Sequence, residues 1–115
     1  VSEYIEYLQE VFEPFGPVRA RRMFGGYGLY HDGLMFALVV DDVLYLKADH
    51  HSRGAFEQAG LPPFEYPRNG QLVKMSYYQA PEELLEDPDQ TVVWARRAFE
   101  AALRARSGNR PRVQT

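Results

Sequence analysis

Residues 34–47 read Leu-Met-Phe-Ala-Leu-Val-Val-Asp-Asp-Val-Leu-Tyr-Leu-Lys, and the fold turns on how that stretch is parsed. The apolar run Leu34 to Val40 is too short for a typical helix, and it stops at Asp41-Asp42. A short apolar run bounded by turn formers suits a strand, so residues 34–40 and 43–47 are expected to be two strands joined by a tight turn. Strict alternation puts Leu34, Phe36, Leu38 and Val40 on one face and Met35, Ala37 and Val39 on the other. Both faces are then apolar. Helices cover only one face of a two-layer domain, so a second cover is needed, and a homodimer is expected to supply it.

Upstream, His31-Asp32-Gly33 is another turn signal, and Val18 to Tyr30 contains three glycines and no helical stripe. It reads as a further strand, which completes a three-stranded antiparallel meander. The N-terminal segment is different. Ser2 is a natural N-cap, and Ile5, Leu8, Phe12 and Phe15 recur at helical spacing until Pro14, Gly16 and Pro17 stop the helix near residue 13.

Downstream, a short helix is expected from Asp49 or Ser52 to Ala59, closed by Gly60. Asn69-Gly70 is the strongest hairpin signal in the chain, because both central residues of a type I′ turn take positive φ. It joins strands at 64–68 and 71–78, and Pro67 marks the first of these as a sheet edge. Glu82 to Leu85 reads as a turn of helix. Asp87-Pro88-Asp89-Gln90 has a cap, a first-turn proline and a reciprocal glutamine at the spacing of a capping box. It opens a helix to about Arg106, with Val92, Ala95, Phe99 and Ala102 on its apolar stripe and Trp94 beside them in the core. The expected fold is α+β, two-layer, with a five-stranded antiparallel sheet in the order α-β-β-β-α-β-β-α. Residues 1–106 form one domain, and 107–115 read as a polar, basic, disordered tail.

The chain has 115 residues, of which 45% are apolar, enough to bury roughly two thirds of the unfolded surface in a single core. No apolar run approaches the ~18 residues of a membrane span. The absence of cysteine excludes disulfides and thiol chemistry and suits a cytoplasmic setting. Residues 1–90 hold 7 basic against 15 acidic side chains, whereas 91–115 hold Arg96, Arg97, Arg104, Arg106, Arg110 and Arg112 against Glu100 alone. That basic end is the alternative candidate site, for nucleic acid, although a pI near 5.6 opposes autonomous phosphate binding.

The other candidate residues lie earlier. Arg19, Arg21 and Arg22 lead into Met23-Phe24-Gly25-Gly26-Tyr27-Gly28, where cations stand beside a glycine-rich segment. A phosphate cradle would sit between strand and helix, and this segment runs on into strands, so the glycines are read as permitting close chain approach. Tyr77-Tyr78, with Tyr30, Tyr45 and Phe64, could stack on bases, but Lys47 and Lys74 are the only lysines. Core packing or a protein interface accounts for them better. Asp49-His50-His51 lacks metal-ligand spacing, and no serine stands in a nucleophile context. No catalytic residue, metal or cofactor is expected.

The blocks Arg-Arg-Met-Phe-Gly-Gly-Tyr-Gly-Leu-Tyr at 21–30, Asp-Gly-Leu-Met-Phe-Ala-Leu-Val at 32–39, Leu-Tyr-Leu-Lys-Ala-Asp at 44–49 and Met-Ser-Tyr-Tyr at 75–78 have a combined likeness. With Pro81-Glu82-Glu83 and Trp94-Ala95, the chain resembles the N-terminal domain of the TfoX/Sxy family over residues 2–106. The resemblance implies a secretion-chaperone-like two-layer domain and a role in bacterial gene regulation, since the family's members promote natural competence together with the cAMP receptor protein. Those regulators also carry a C-terminal domain similar to helix-hairpin-helix modules, and this chain is expected to stand without it. The resemblance carries over no catalytic residue. Arg22, Met23, Phe24, Gly25 and Gly26 map onto a family signature. The expected partner is a protein, such as a transcription factor or an RNA polymerase component, docked through the arginine cluster or the uncovered sheet face.

Overall fold

A computed structural model describes residues 2–23 and 25–108. Helix α1 spans Glu3–Val11, and the Ser2 hydroxyl accepts the Tyr4 and Ile5 amides at 3.1 and 3.4 Å, as an N-cap should. Strands β1 (Arg19–Met23), β2 (Gly26–His31), β3 (Leu34–Val40) and β4 (Val43–Lys47) follow, then α2 (Arg53–Gln58), β5 (Pro63–Arg68), β6 (Gln71–Gln79), α3 (Glu83–Glu86) and α4 (Pro88–Gly108). All strands pair antiparallel in one sheet ordered β1-β2-β3-β4-β6-β5.

The sheet has six strands rather than the expected five. The segment 18–30 is a hairpin, with Gly25 at φ +68° between β1 and β2. No Asn-Gly or Asp-Gly pair marks this reversal, so the break was invisible to turn chemistry. Gly26 is required here for a second reason, because a Cβ on it would collide with the Val39 carbonyl oxygen of β3. The other three hairpins turn where expected. Asp32-Gly33, Asp41-Asp42 and Asn69-Gly70 all have positive φ at both central residues, the conformation that matches strand twist. As Pro67 foretold, β5 is an edge, and Pro63 lies in it too.

Simple alternation fails in β3. Leu29 pairs with Ala37 and Tyr30 with Met35, so Phe36 is the extra residue of a β-bulge. The bulge rotates Phe36 to the side of Ala37 and Val39. There it meets Phe12, Phe15 and Phe99 at ring centroid distances of 5.4, 5.5 and 6.4 Å. The helix-side core therefore takes Phe36, Ala37 and Val39 from β3, with Leu29, Leu44 and Leu46 from its neighbours. Met35, Leu38 and Val40 are left for the opposite face.

Helix α4 packs across β3 and β4 through Ala95, Ala98 and Ala102, small residues that allow close approach. Trp94 lies against Phe56 of α2 at 5.0 Å. Fully burying residues such as Phe12, Phe36 and Phe56 stabilises the fold by about 2–3 kcal/mol each. The start of α4 uses half of the expected capping box. The Asp87 carboxylate accepts the Asp89 amide at 2.9 Å, but the Asp87 N–H is donated to the O of Glu83, the first residue of α3, which leaves no donor for Gln90. Thr91 reinforces the junction, its hydroxyl donating to Leu84 O. Ser107 and Gly108 extend α4 beyond its expected end at Arg106, and the rest of the expected tail, including Arg110 and Arg112, lies outside the described residues. Among the described residues no helix is long and apolar enough to cross a membrane.

Candidate functional site

Strand parity sorts the candidate residues. In β1, Arg19, Arg21 and Met23 pair with Tyr30, Gly28 and Gly26, and they stand on the sheet face away from the helices. Ala20 packs toward the core, and Arg22 shares its face, with its guanidinium over Tyr27 at 5.9 Å. The arginine cluster is thus divided between the two faces. Phe24 lies outside the described residues. Tyr77 and Tyr78 divide in the same way: Tyr78 stacks on Phe56 at 5.2 Å and donates its hydroxyl to Glu57 at 2.9 Å, while Tyr77 pairs with Lys47 on the open face.

The open face has its own apolar cluster. Leu38 and Tyr77 are only 8% and 7% exposed although neither belongs to the helix-side core. They are shielded by neighbours on the sheet. Tyr45 packs against Phe64 at 4.8 Å, Phe64 stacks on Tyr66 at 6.4 Å, and the Met23 and Met35 sulfurs close over Gly28. Burial pushes the Tyr77 phenol up to about 12, and the neighbouring Tyr30 adds to the effect. The tyrosine therefore presents a neutral hydroxyl at physiological pH.

Cations border this face. The Arg21 guanidinium lies over Tyr30 at 5.6 Å, and the Lys47 ammonium sits over Tyr77 at 5.1 Å while donating to Ser76 Oγ at 2.8 Å. Burial pulls the Lys47 pKa down, and Asp49 partly offsets it. Arg106, from the last turn of α4, lines a hollow of about 300 Å³ together with Met35, Lys47 and Tyr77. The rim thus draws Arg19 and Arg21 from one end of the chain and Arg106 from the other.

Among the described residues, the other arginines of α4 do not converge. Arg104 binds Asp49 with both arms of its fork, at 2.6 and 3.1 Å. That contact holds the Asp49 carboxyl down at about 2, helped by the Ser52 amide. Arg97 stacks on Trp94 at 4.6 Å, and Arg96 points to solvent on another part of the helix. Asp49 also accepts the His51 and Ser52 amides at 3.0 Å, so its carboxylate builds the β4–α2 corner. His31 lies apart from His50 and His51, against Phe15 and Phe99. Sequence reading missed the Asp49–Arg104 pair, which spans 55 positions, and the place of Leu38 and Met35 on the open face, which needed the bulge.

A family model described as the TfoX N-terminal domain matches residues 10–102. The chain is 28% identical over 100 residues to the DNA transformation protein TfoX1 of Aliivibrio fischeri, an alignment covering 84% of this chain and 48% of that protein. It is 33% identical over 101 residues to the protein Sxy of Escherichia coli, covering 86% of this chain and 47% of that protein. The chain spans about half the length of the curated relatives it matches.

Proposed function

The chain belongs to the TfoX N-terminal domain family, and from that premise we propose that it is a non-enzymatic bacterial regulatory domain that docks a protein partner in the control of DNA transformation. The supporting observation is the open sheet face, an aromatic and aliphatic cluster around Leu38 and Tyr77 rimmed by Arg19, Arg21, Lys47 and Arg106 on a chain of net charge −3. Charge complementarity selects the occupant: a protein surface of aliphatic residues flanked by carboxylates. Isologous pairing of two copies over this face would bury the same cationic rim twice, so the reading takes a different protein. The name of the A. fischeri relative supplies the biological setting. The action is placed in the cytoplasm.

Direct nucleic-acid binding through α4 has less support, because Arg104 is held by Asp49 and Arg97 by Trp94. The test is retention of proteins from the source bacterium on the tagged chain, with and without nuclease. A one-to-one acidic-surfaced protein should survive nuclease treatment. It should be lost at least tenfold with the folded Tyr45→Ala/Phe64→Ala variant and kept by Tyr7→Ala on the helix layer. Deleting the gene should lower transformation frequency. Equal retention by all three proteins, or loss on nuclease treatment, would overturn the reading.

A further inference from the structure

The two edges of the sheet are chemically unequal. The outer strand β5 contains Pro63 and Pro67, which have no N–H to offer, whereas β1 at the opposite edge contains no proline. Every β1 residue except the half-buried Ala20 is exposed. A hollow of about 600 Å³ opens beside the first half of β1, lined by Pro17, Arg19, Ala20, Arg21, Tyr30 and Asp32 among others. Among the described residues none of Arg19, Arg21 and Arg22 has a carboxylate partner, and the guanidinium groups of Arg21 and Arg22 lie over tyrosine rings instead.

We propose that the free edge of β1 is a strand-addition site for an extended acidic segment of a partner protein. An edge strand leaves alternate backbone N–H and C=O groups unpaired, and an added strand satisfies them. Its side chains would alternate between the faces, so carboxylates two residues apart meet Arg19 and Arg21 on one face, and the next residue beyond the partner of Arg21 meets Arg22 on the other. The division of the arginines between two faces, which defeats a compact anion pocket, suits a strand lying alongside. A second copy of this chain is excluded as occupant, because β1 against β1 opposes arginine to arginine and like charges across a ladder repel. A nucleic-acid strand offers no matching pattern of amides, and Asp32 in the lining of the hollow and the chain's net negative charge oppose it. The proposal rests on the interaction-domain reading and deepens it by naming the partner's chemistry at β1.

The test uses the full chain and four probes: a capped hexapeptide of alternating glutamate and valine, two versions of it N-methylated at alternate residues in one register or the other, and a single-stranded DNA 20-mer. Binding is followed by amide chemical-shift changes. The plain peptide should shift β1 amides and leave β5 amides unmoved. Replacing Arg19 and Arg21 together by Gln should weaken it about fivefold to tenfold, as expected for the loss of two exposed ion pairs. N-methylation in the register that blocks the paired amides should abolish binding with no change to the protein, which keeps the test independent of variant folding. No β1 shifts at millimolar peptide, equal binding by the peptides methylated in either register, or tighter binding of the DNA would each overturn the proposal. The face variant Tyr45→Ala/Phe64→Ala should leave this titration intact. Partner retention that this variant leaves unchanged, with β1 shifts intact, therefore defeats the face reading alone, and retention lost in the variant with no β1 shifts in either protein defeats only strand addition.

Discussion

Replacing Asp49 by Asn probes the one bidentate ion pair found among the described residues. The carboxyl titrates at about 2 instead of 3.8, chiefly because of the Arg104 guanidinium. By linkage that depression is worth at most roughly 2.5 kcal/mol. The Arg104 side chain is 41% exposed, so solvent screens the pair, and Asn retains an oxygen for the Ser52 and His51 amides. The expected cost at pH 7 is therefore about 1–1.5 kcal/mol. For a domain of this size it lowers the melting temperature by about 4–6 °C and the urea midpoint by roughly 1 M. The single tryptophan, Trp94, reports the transition by fluorescence. Because the folded pKa lies below the unfolded one, the stabilisation is complete above pH 4 and is lost as pH falls toward 2. The gap between wild type and Asp49→Asn should close across that window, and Arg104→Gln should add almost nothing in the Asn background. Coincident urea curves at pH 7, or a gap that persists below pH 2, would refute the assignment.

The alkaline limb should report Tyr77. Its phenol is pushed up to about 12, so the unfolded chain ionises first, and stability present below pH 10 is lost between 10 and 12. In melts across this range Tyr77→Phe should flatten the decline. Phe56→Ala removes a ring held between Trp94 and Tyr78 and should cost about 3–5 kcal/mol by urea unfolding, with a red shift of the Trp94 emission. Gly26→Ala drives a methyl into the Val39 carbonyl and should cost about 2–3 kcal/mol. Gly25→Ala, which meets open space but holds φ +68°, should cost about 1 kcal/mol, and the order of these two melting temperatures checks the assignment.

What the sequence disclosed was mostly local. Ser2, Asn69-Gly70 and Pro67 each act within a few residues, and helix start, hairpin and edge were legible from them. The β1–β2 reversal was not, because its turn lacks a diagnostic pair. The inward rotation of Phe36 was not, because an apolar run shows no parity to contradict. At the site, the arginine signature was visible as composition, yet its division between faces appears only once 19–23 is drawn as a strand. Arg104 was grouped with its neighbours as a basic end, and only folding shows that its partner is Asp49.

The proline-bearing β5 edge sets a limit on stoichiometry. A sheet with two open edges can pass pairing along from copy to copy and grow into a fibre. Pro63 and Pro67 take two amides from the β5 edge, so a strand that joins at β1 finds a poorer docking edge across the molecule at β5. Assembly by this route favours one segment per chain, and the prolines of β5 oppose growth through the domain.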